Sequence, residues 1–413
     1  MSASQLDSPV GCAKTDAFAE QLRTFTEFDK ETRIEDFPDP TVQLPVYINE
    51  FWTAKQRAAS SLHEISYRAC FKPQLPRFFI ERLSSPDDIV YDPFMGRGTT
   101  PLEAAILGRA PAGCDINPLS KRLLAPRLDP PAPEAVAKRL AEIDLSKKAA
   151  DLPEDLLTFY HPETLQEICA LREYFIAREV SGEIDPADAW IRMVATNRLT
   201  GHSPGFFSVY SLPPNQAVTV ESQRKINAKR NQVPPRREVI PIILKKSRTL
   251  LNKAGVLPSF SDAQLLTGAC DSTPALAENS VALVVTSPPF LDVVDYQTDN
   301  WLRCWFNGID ASSIPIWQLK KAEDWTAAMT RVFEELRRVL IPGGHIAFEV
   351  GEIKKGKLLM ETLVVPAAKA AGLIPRLVLV NDQIFTKTAN VWGVSNLTKG
   401  TNTNRIILLQ KPR

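Results

Sequence analysis

Apolar positions fall in short runs separated by longer amphipathic stretches, and the spacing changes character twice along the chain. Residues 1 to about 45 are polar and rich in Asp and Pro, with little periodicity, and read as an N-terminal arm or a loosely packed start. The first clear strand is Asp88–Tyr91. It runs into a glycine turn, then a helical stretch over 101–107 that stops at Gly108, then a second short strand over Ala110–Cys114 ending in Asp115. Strand, turn, helix, strand and acid make one βαβ unit. From about Pro130 to Pro258 the pattern turns helical, with candidates at 133–146, 161–179, 185–199 and 239–254, interrupted by a loop rich in Pro, Ser, Gly and aromatics from Gly201 to Asn215. The α/β rhythm then resumes. Strands are predicted at 264–267, 281–285, 345–350, 377–380 and 405–410, and helices near 322–340 and 358–370, with Pro342-Gly343-Gly344 a turn between helix and strand. This predicts an α/β fold: a doubly wound, mainly parallel seven-stranded sheet with a largely helical insertion. The segments are an arm (1–45), a first part of the α/β domain (46–130), the insertion (131–260) and a second part (261–413).

Composition changes this picture little. At 413 residues the chain can bury a large core, and 49 Lys+Arg against 48 Asp+Glu leave net charge uninformative about a nucleic-acid partner. The six cysteines (Cys12, Cys70, Cys114, Cys169, Cys270, Cys304) are scattered, with no C-x-x-C pair and no His at ligand spacing; they read as reduced thiols, and no metal is expected. With no apolar run of signal-peptide or membrane-span type, the expectation is a soluble, cytoplasmic protein.

Candidate chemistry begins at Asp92-Pro93-Phe94-Met95-Gly96-Arg97-Gly98-Thr99-Thr100. Gly96 and Gly98 allow a tight turn and a close approach of a ligand to the backbone. The helix start behind them offers unpaired N–H groups to an anion, with the hydroxyls of Thr99 and Thr100 beside it. Asp115 ends the second strand, where an acid can accept both hydroxyls of a ribose. Pro101 replaces the third glycine of the dinucleotide fingerprint, and no G-K-[ST] follows, which excludes a nucleotide-phosphate loop. The second cluster is Thr286-Ser287-Pro288-Pro289-Phe290, closing the apolar run 282–285. A double proline stops the strand and holds the backbone in a stiff extended turn.

Together these strings resemble the N4-cytosine/N6-adenine (amino-group) DNA methyltransferase family of Ser-Pro-Pro-Phe type, over about residues 60–125 and 260–413. The resemblance implies a Rossmann-like methyltransferase fold and S-adenosylmethionine as cofactor. It places Asp92 at the methionine amino group, with Phe94 in the same wrapping string. Gly96 and Gly98 fall on the adenosine side, Thr99 or Thr100 at the carboxylate, and Asp115 at the ribose. Residues 71–80, with Lys72 and Pro73, resemble the motif that closes over the cofactor methionine. Gly268–Ser272 resembles the motif whose acid, here Asp271, lies near the adenine, and Asp295–Gln297 with Asn300-Trp301 resembles the motif after the catalytic turn. An exocyclic amine is a poor nucleophile because its lone pair is delocalised into the ring. Acceptors that hold its N–H groups out of plane localise that pair. Ser287 Oγ and the Pro288 carbonyl are the candidate acceptors, Pro289 stiffens the turn, and Phe290 offers a stacking face to a flipped base. Ser-Pro-Pro-Phe resembles the cytosine-N4 type. Adenine-N6 methylation, methylation of RNA amines and a non-catalytic DNA-binding subunit are the alternatives. The motif order, with the insertion in the cofactor half, departs from that of many Ser-Pro-Pro enzymes.

Charge is concentrated in one place. Residues 221–248 carry nine Lys/Arg against Glu221 and Glu238, a local net of nine minus two, +7. Arg224, Lys225, Lys229, Arg230, Arg236 and Arg237 are the candidate DNA contacts, and charge reversal at Arg236 and Arg237 is expected to weaken DNA binding. Upstream, Asn197-Arg198, His202, Phe206-Phe207, Tyr210 and Asn215-Gln216 interleave aromatics with base-reading groups, which makes the insertion the candidate target-recognition region. The candidate partners are double-stranded DNA and a cognate restriction endonuclease. His161 reads as a helix cap, and His63-Glu64 as a structural pair on a helix surface.

Overall fold

The computed structural model describes residues 9–53, 59–68, 70–146, 152–212, 217–255, 258–289, 296–317, 319–353, 358–382 and 403–413. Nine strands form one mixed sheet: β1 (Arg33–Asp36), β2 (Pro45–Asn49), β3 (Ile89–Asp92), β4 (Ala110–Asp115), β5 (Gln264–Thr267), β6 (Val281–Thr286), β7 (Leu340–Val350), β8 (Ile374–Asp382) and β9 (Thr403–Gln410). Their order is β1-β2-β8-β9-β7-β6-β3-β4-β5. β7, β6, β3, β4 and β5 run parallel, while β9 lies antiparallel between β8 and β7. The chain steps outward from β3 through β4 to β5, and then returns to the other side of β3 with β6. Strand order therefore reverses between β3 and β6, the place where open α/β sheets bind ligands.

The strands form where apolar side chains serve both faces. In β6, Val284 packs with α11 (Ala322–Val339) and α12 (Glu361–Ala370) on one side. Leu283 and Val285 pack with α1 (Pro9–Arg23) and α2 (Gln74–Leu83) on the other. Each such side chain contributes about 1.5–3 kcal/mol on burial, which fixes the register of the strand.

Two expectations need correction. The sheet has nine strands rather than seven, because the segment read as a loose arm is packed. Phe18 and Leu22 of α1 are buried, β2 adds in parallel to β8, and β1 forms the outer edge with all four residues exposed. Their short length and mostly polar flanks hide the period. Pro342-Gly343-Gly344 is no separate turn either: α11 passes directly into β7, and the glycines lie within it beside a register shift against β6.

The insertion carries α5 (Pro133–Glu142), α6 (Pro162–Val180), α7 (Pro186–Thr196), α8 (Val220–Arg230) and α9 (Val239–Asn252), of which α8 escaped the periodicity because its residues are nearly all polar. Its apolar side chains merge with those of α4 (Pro118–Leu128) and α10 (Tyr296–Phe306) into one core, so the insertion is anchored rather than tethered. His161 caps α6 as expected, its Nδ1 accepting from the Glu163 N–H at 3.3 Å. Among the described residues, no helix is long and apolar enough to cross a membrane.

Candidate active site at the carboxyl ends of the central strands

Asp92 ends β3 and Thr286 ends β6, and the Thr286 hydroxyl donates to Asp92 Oδ1 at 2.6 Å. The Phe94 N–H donates to the same oxygen at 3.0 Å. Gly96 takes φ +50°, and its N–H donates to Asp115 Oδ2 at 2.8 Å, while the Asn117 N–H reaches Oδ1 at 2.8 Å. Gly98 takes φ +78° and starts α3 (Thr99–Ile106) directly under Leu124, where a Cβ would meet Leu124 Cδ1 at 2.6 Å. Glycine is required there both for the backbone angle and for the packing. No side chain caps α3, which leaves its first-turn N–H groups available to an anion.

These elements enclose one cleft. It is lined by Asp92, Phe94, Gly96, Thr99 and Asp115, and by Gly268–Cys270. Ser287 and Pro289 stand on the same cleft, which joins the glycine turn and the Ser-Pro-Pro turn as the switch-point rule anticipates. Burial dominates its electrostatics. It pushes the Asp92 carboxyl up to about 7 against the opposing hydrogen bonds from Thr286 and Phe94, and it raises Asp115 in the same direction.

Other expected site residues lie elsewhere. Lys72 is exposed and Pro73 is the buried N-cap of α2; the adjoining Tyr67, Arg68, Cys70 and Phe71 line the cleft in their place. Thr100 donates to the Val285 carbonyl at 3.0 Å, tying α3 to β6. Asp271 turns toward α11, where Arg331 Nε lies 3.2 Å from its Oδ2. Pro288 is buried beside the cleft, and Phe290 lies outside the described residues, as do Asp295, Asn215 and Gln216. Trp301 packs α10 against the insertion, its indole donating to the Val218 carbonyl at 3.3 Å. The helix-surface reading of His63-Glu64 is overturned. His63 is buried with Nε2 2.7 Å from Glu103 Oε2, Arg77 Nε holds the other Glu103 oxygen at 2.5 Å, and Glu64 pairs with Lys246 at 2.6 Å.

Three contributors were missed. Arg97, the free position of G-x-G, donates to the carbonyls of Ile65 (2.8 Å) and Phe71 (3.3 Å) and to Thr99 Oγ1 (3.1 Å). It holds the Tyr67–Phe71 wall against the glycine turn. Glu349, buried near the end of β7, accepts from Asn404 Nδ2 at 3.0 Å and has Ser287 as a polar neighbour; burial raises its carboxyl. A carboxylate inside the apolar run 345–350 was the available signal. Pro315–Trp317 form the remaining wall, with Trp317 edge-on to Phe94 at 6.4 Å; nothing in the local sequence marked them.

The basic segment divides. In α8, Arg224 and Lys225 are exposed and lightly paired, with Asp155 and Glu221. Lys229 and Arg230 are exposed, and Arg230 stacks over Tyr210 at 3.7 Å. Arg236 is instead held by Glu163 (2.9 Å) and Glu167, and Arg237 is half-buried with its N–H on Thr164 Oγ1 at 2.8 Å. Asn197, Arg198, Phe206 and Phe207 are buried, with Arg198 stacked on Phe206 at 4.0 Å, so they pack the insertion rather than face a partner. The segment leading into α8 is linked to the cleft. The Ala217 N–H donates to the Asp299 carbonyl at 3.2 Å, and Asp299 accepts both bonds of Arg68 at 3.0 and 3.1 Å.

The family model described as DNA methylase, of the N6/N4 methyltransferase type, matches residues 12–125, which take in α2, the glycine turn and Asp115. Type II methyltransferase M1.MboII of Moraxella bovis is 37% identical over 86 residues, 20% of this chain and 32% of that protein. Type II methyltransferase M.BsoBI of Geobacillus stearothermophilus is 24% identical over 296 residues, 62% of this chain and 54% of that protein. Among solved structures, TrmN from Thermus thermophilus overlays with a TM-score of 0.32 at 13% identity, over 83% of this chain and 50% of that one. The matches thus span from about a third to about half of the length of these two curated relatives. With the motif strings in place at the switch point of the sheet, these matches support the amino-group (N4/N6) DNA methyltransferase family for this chain.

Proposed function

We propose that the chain is a site-specific DNA methyltransferase that uses S-adenosylmethionine to methylate the exocyclic N4 amine of cytosine, by direct in-line transfer to a base flipped out of the duplex. The observation that carries this reading is the shared cleft: Asp92, Gly96 and Asp115 face the same space as Ser287 and Pro289. The cleft suits the cofactor by its donor set. Asp92 would hold the amino group, the uncapped start of α3 the carboxylate, and Asp115 the ribose, with Phe71 and Phe94 as apolar walls. When bound, S-adenosylmethionine supplies an electrophilic sulfonium methyl.

The chain's own residues prepare the amine. The buried Glu349 carboxyl neighbouring Ser287 is proposed to take the Ser287 O–H, which leaves the Ser287 lone pairs to accept an amine N–H. Pro288 adds a carbonyl on a backbone that cannot relax. Phe290 is proposed as the stacking face for the base. No covalent intermediate on the protein is needed. Arg224, Lys225, Lys229 and Arg230 are proposed to meet the DNA backbone, with double-stranded DNA as the partner. Both curated relatives are named Type II methyltransferases, which keeps a cognate restriction endonuclease as a candidate partner.

The test is to incubate the protein with methyl-labelled cofactor and mixed-sequence duplex DNA, then digest and identify the labelled nucleoside. N4-methylcytosine is expected. N6-methyladenine would move the target to the rival base, and label found only in added RNA would overturn the DNA reading.

A further inference from the structure

Residues 288 and 289 are both proline, so the Ser-Pro-Pro turn has no N–H of its own at two successive positions and cannot be held by its own backbone donors. It needs donors or acceptors from outside. On the β7 side its polar neighbour is the buried Glu349 carboxyl, close to Ser287. The anchor is a side-chain donor: the indole N–H of Trp325 donates to the Pro289 carbonyl at 3.1 Å. Trp325 sits in the first turn of α11 and is 1% exposed, packed among the apolar side chains between that helix and the sheet. Its backbone N–H is fixed to the Lys321 carbonyl at 3.1 Å, and the ring is confined by the buried side chains around it. A buried indole N–H needs an acceptor, and packing alone would be served as well by phenylalanine. Here the acceptor is the last described residue of the turn, on the wall of the cleft.

We propose that Trp325 is a positioning residue for methyl transfer: its indole N–H clamps the Pro289 carbonyl and so fixes where Ser287 and Pro288 present their acceptors to the target amine. This inference rests on the proposed function. The geometry of those acceptors matters only in the transition state, where the amine must leave the ring plane; a loosened turn therefore lowers the rate of transfer without lowering affinity for cofactor or DNA.

The experiment compares the full-length wild type with Trp325→Phe, which keeps an aromatic ring and deletes only the donor. A second variant, Phe333→Leu, disturbs the same apolar layer away from the turn. The single-turnover transfer rate, the dissociation constants for cofactor and duplex DNA, and the melting temperature are measured for each. Trp325→Phe is expected to slow transfer roughly five- to twentyfold with both dissociation constants within about twofold, as loss of one geometric hydrogen bond would do. Phe333→Leu is expected to lower the melting temperature and leave the rate within about twofold. A Trp325→Phe rate equal to wild type, or a fall matched by Phe333→Leu, overturns the inference. The wild type supplies an independent readout by indole ¹⁵N labelling: slow solvent exchange of the Trp325 N–H is expected, and free exchange overturns the clamp. A wild type that transfers no methyl group to DNA overturns the proposed function itself, and the inference with it.

Discussion

Thr286 Oγ1 donates to Asp92 Oδ1 across 2.6 Å, so the last residue of one central strand holds the last residue of its neighbour. The bond joins the cofactor motif to the strand that carries the Ser-Pro-Pro turn. It also works against burial, which raises the Asp92 carboxyl from 3.8 to about 7. The sign for stability follows directly. Between about pH 4 and 7 the folded state keeps a proton that the unfolded chain has released, so folding stability declines as pH rises through that window, by up to about 4 kcal/mol.

Cofactor binding should show the opposite trend. An ionised Asp92 is the form that attracts an ammonium group, so affinity for S-adenosylmethionine is expected to rise with pH through about 7. Thr286→Val removes the donor that favours ionisation and keeps the shape, and should move the midpoint of that rise upward by about one unit. Calorimetric titration at a series of pH values checks this; a midpoint unmoved by the substitution would count against the coupling.

Ser287→Ala should lower the transfer rate about 10²-fold while leaving the dissociation constant for the cofactor unchanged. Glu349→Gln should lower it about tenfold, because an amide can offer donors as well as an acceptor to Ser287 and no longer commits its O–H. Single-turnover assays beside cofactor titrations separate rate from affinity. Near-normal turnover of Ser287→Ala would remove the residue from its proposed role.

Arg97→Ala frees the Tyr67–Phe71 wall from the glycine turn, as the bonds to the carbonyls of Ile65 and Phe71 are lost. The expected result is a roughly tenfold weaker cofactor affinity with DNA affinity little changed. Arg97→Lys should recover only part of the loss, since an ammonium cannot reproduce the fork that reaches both carbonyls. Equal affinities for all three proteins would show that the wall needs no such latch.

On the insertion, Lys229→Glu with Arg230→Glu should weaken duplex binding and reduce the slope of log K against log salt by about two, with the cofactor constant unaffected. Arg236→Glu should behave differently from the expectation of weakened DNA binding. It places a third carboxylate beside Glu163 and Glu167 and should chiefly lower the melting temperature. A salt slope unchanged by the α8 pair would take the DNA surface away from that helix.

The glycine turn, Asp115 at the strand end and the Ser-Pro-Pro turn are contiguous strings, and each acts through backbone constraints that neighbours in sequence impose. Gly98 shows the limit even there. Its left-handed backbone follows from the turn, but its contact with Leu124 does not. Lys72 and Asp271 were placed by motif alone; neither lines the cleft, Lys72 being exposed and Asp271 bonded to Arg331 of α11. In the insertion, the interleaved aromatics and amides are largely core, since Arg198 and Asn197 satisfy helix and ring contacts within the fold.

By itself the sequence determined the α/β rhythm, the helical insertion, the two motif turns and the family they signal, because hydrophobic period, glycine and proline act over a few residues. Only the tertiary structure decided that β6 returns beside β3, that the first forty-nine residues contribute two strands and a packed helix, that Trp317 lines the cleft, and that Arg97 and Trp325 bond to the carbonyls of Ile65, Phe71 and Pro289. The physical reason is the same in each case. A strand's neighbour, and the partner of a buried donor or acceptor, is chosen by burial and hydrogen bonding across hundreds of residues, as Thr286 and Asp92 show over 194 positions.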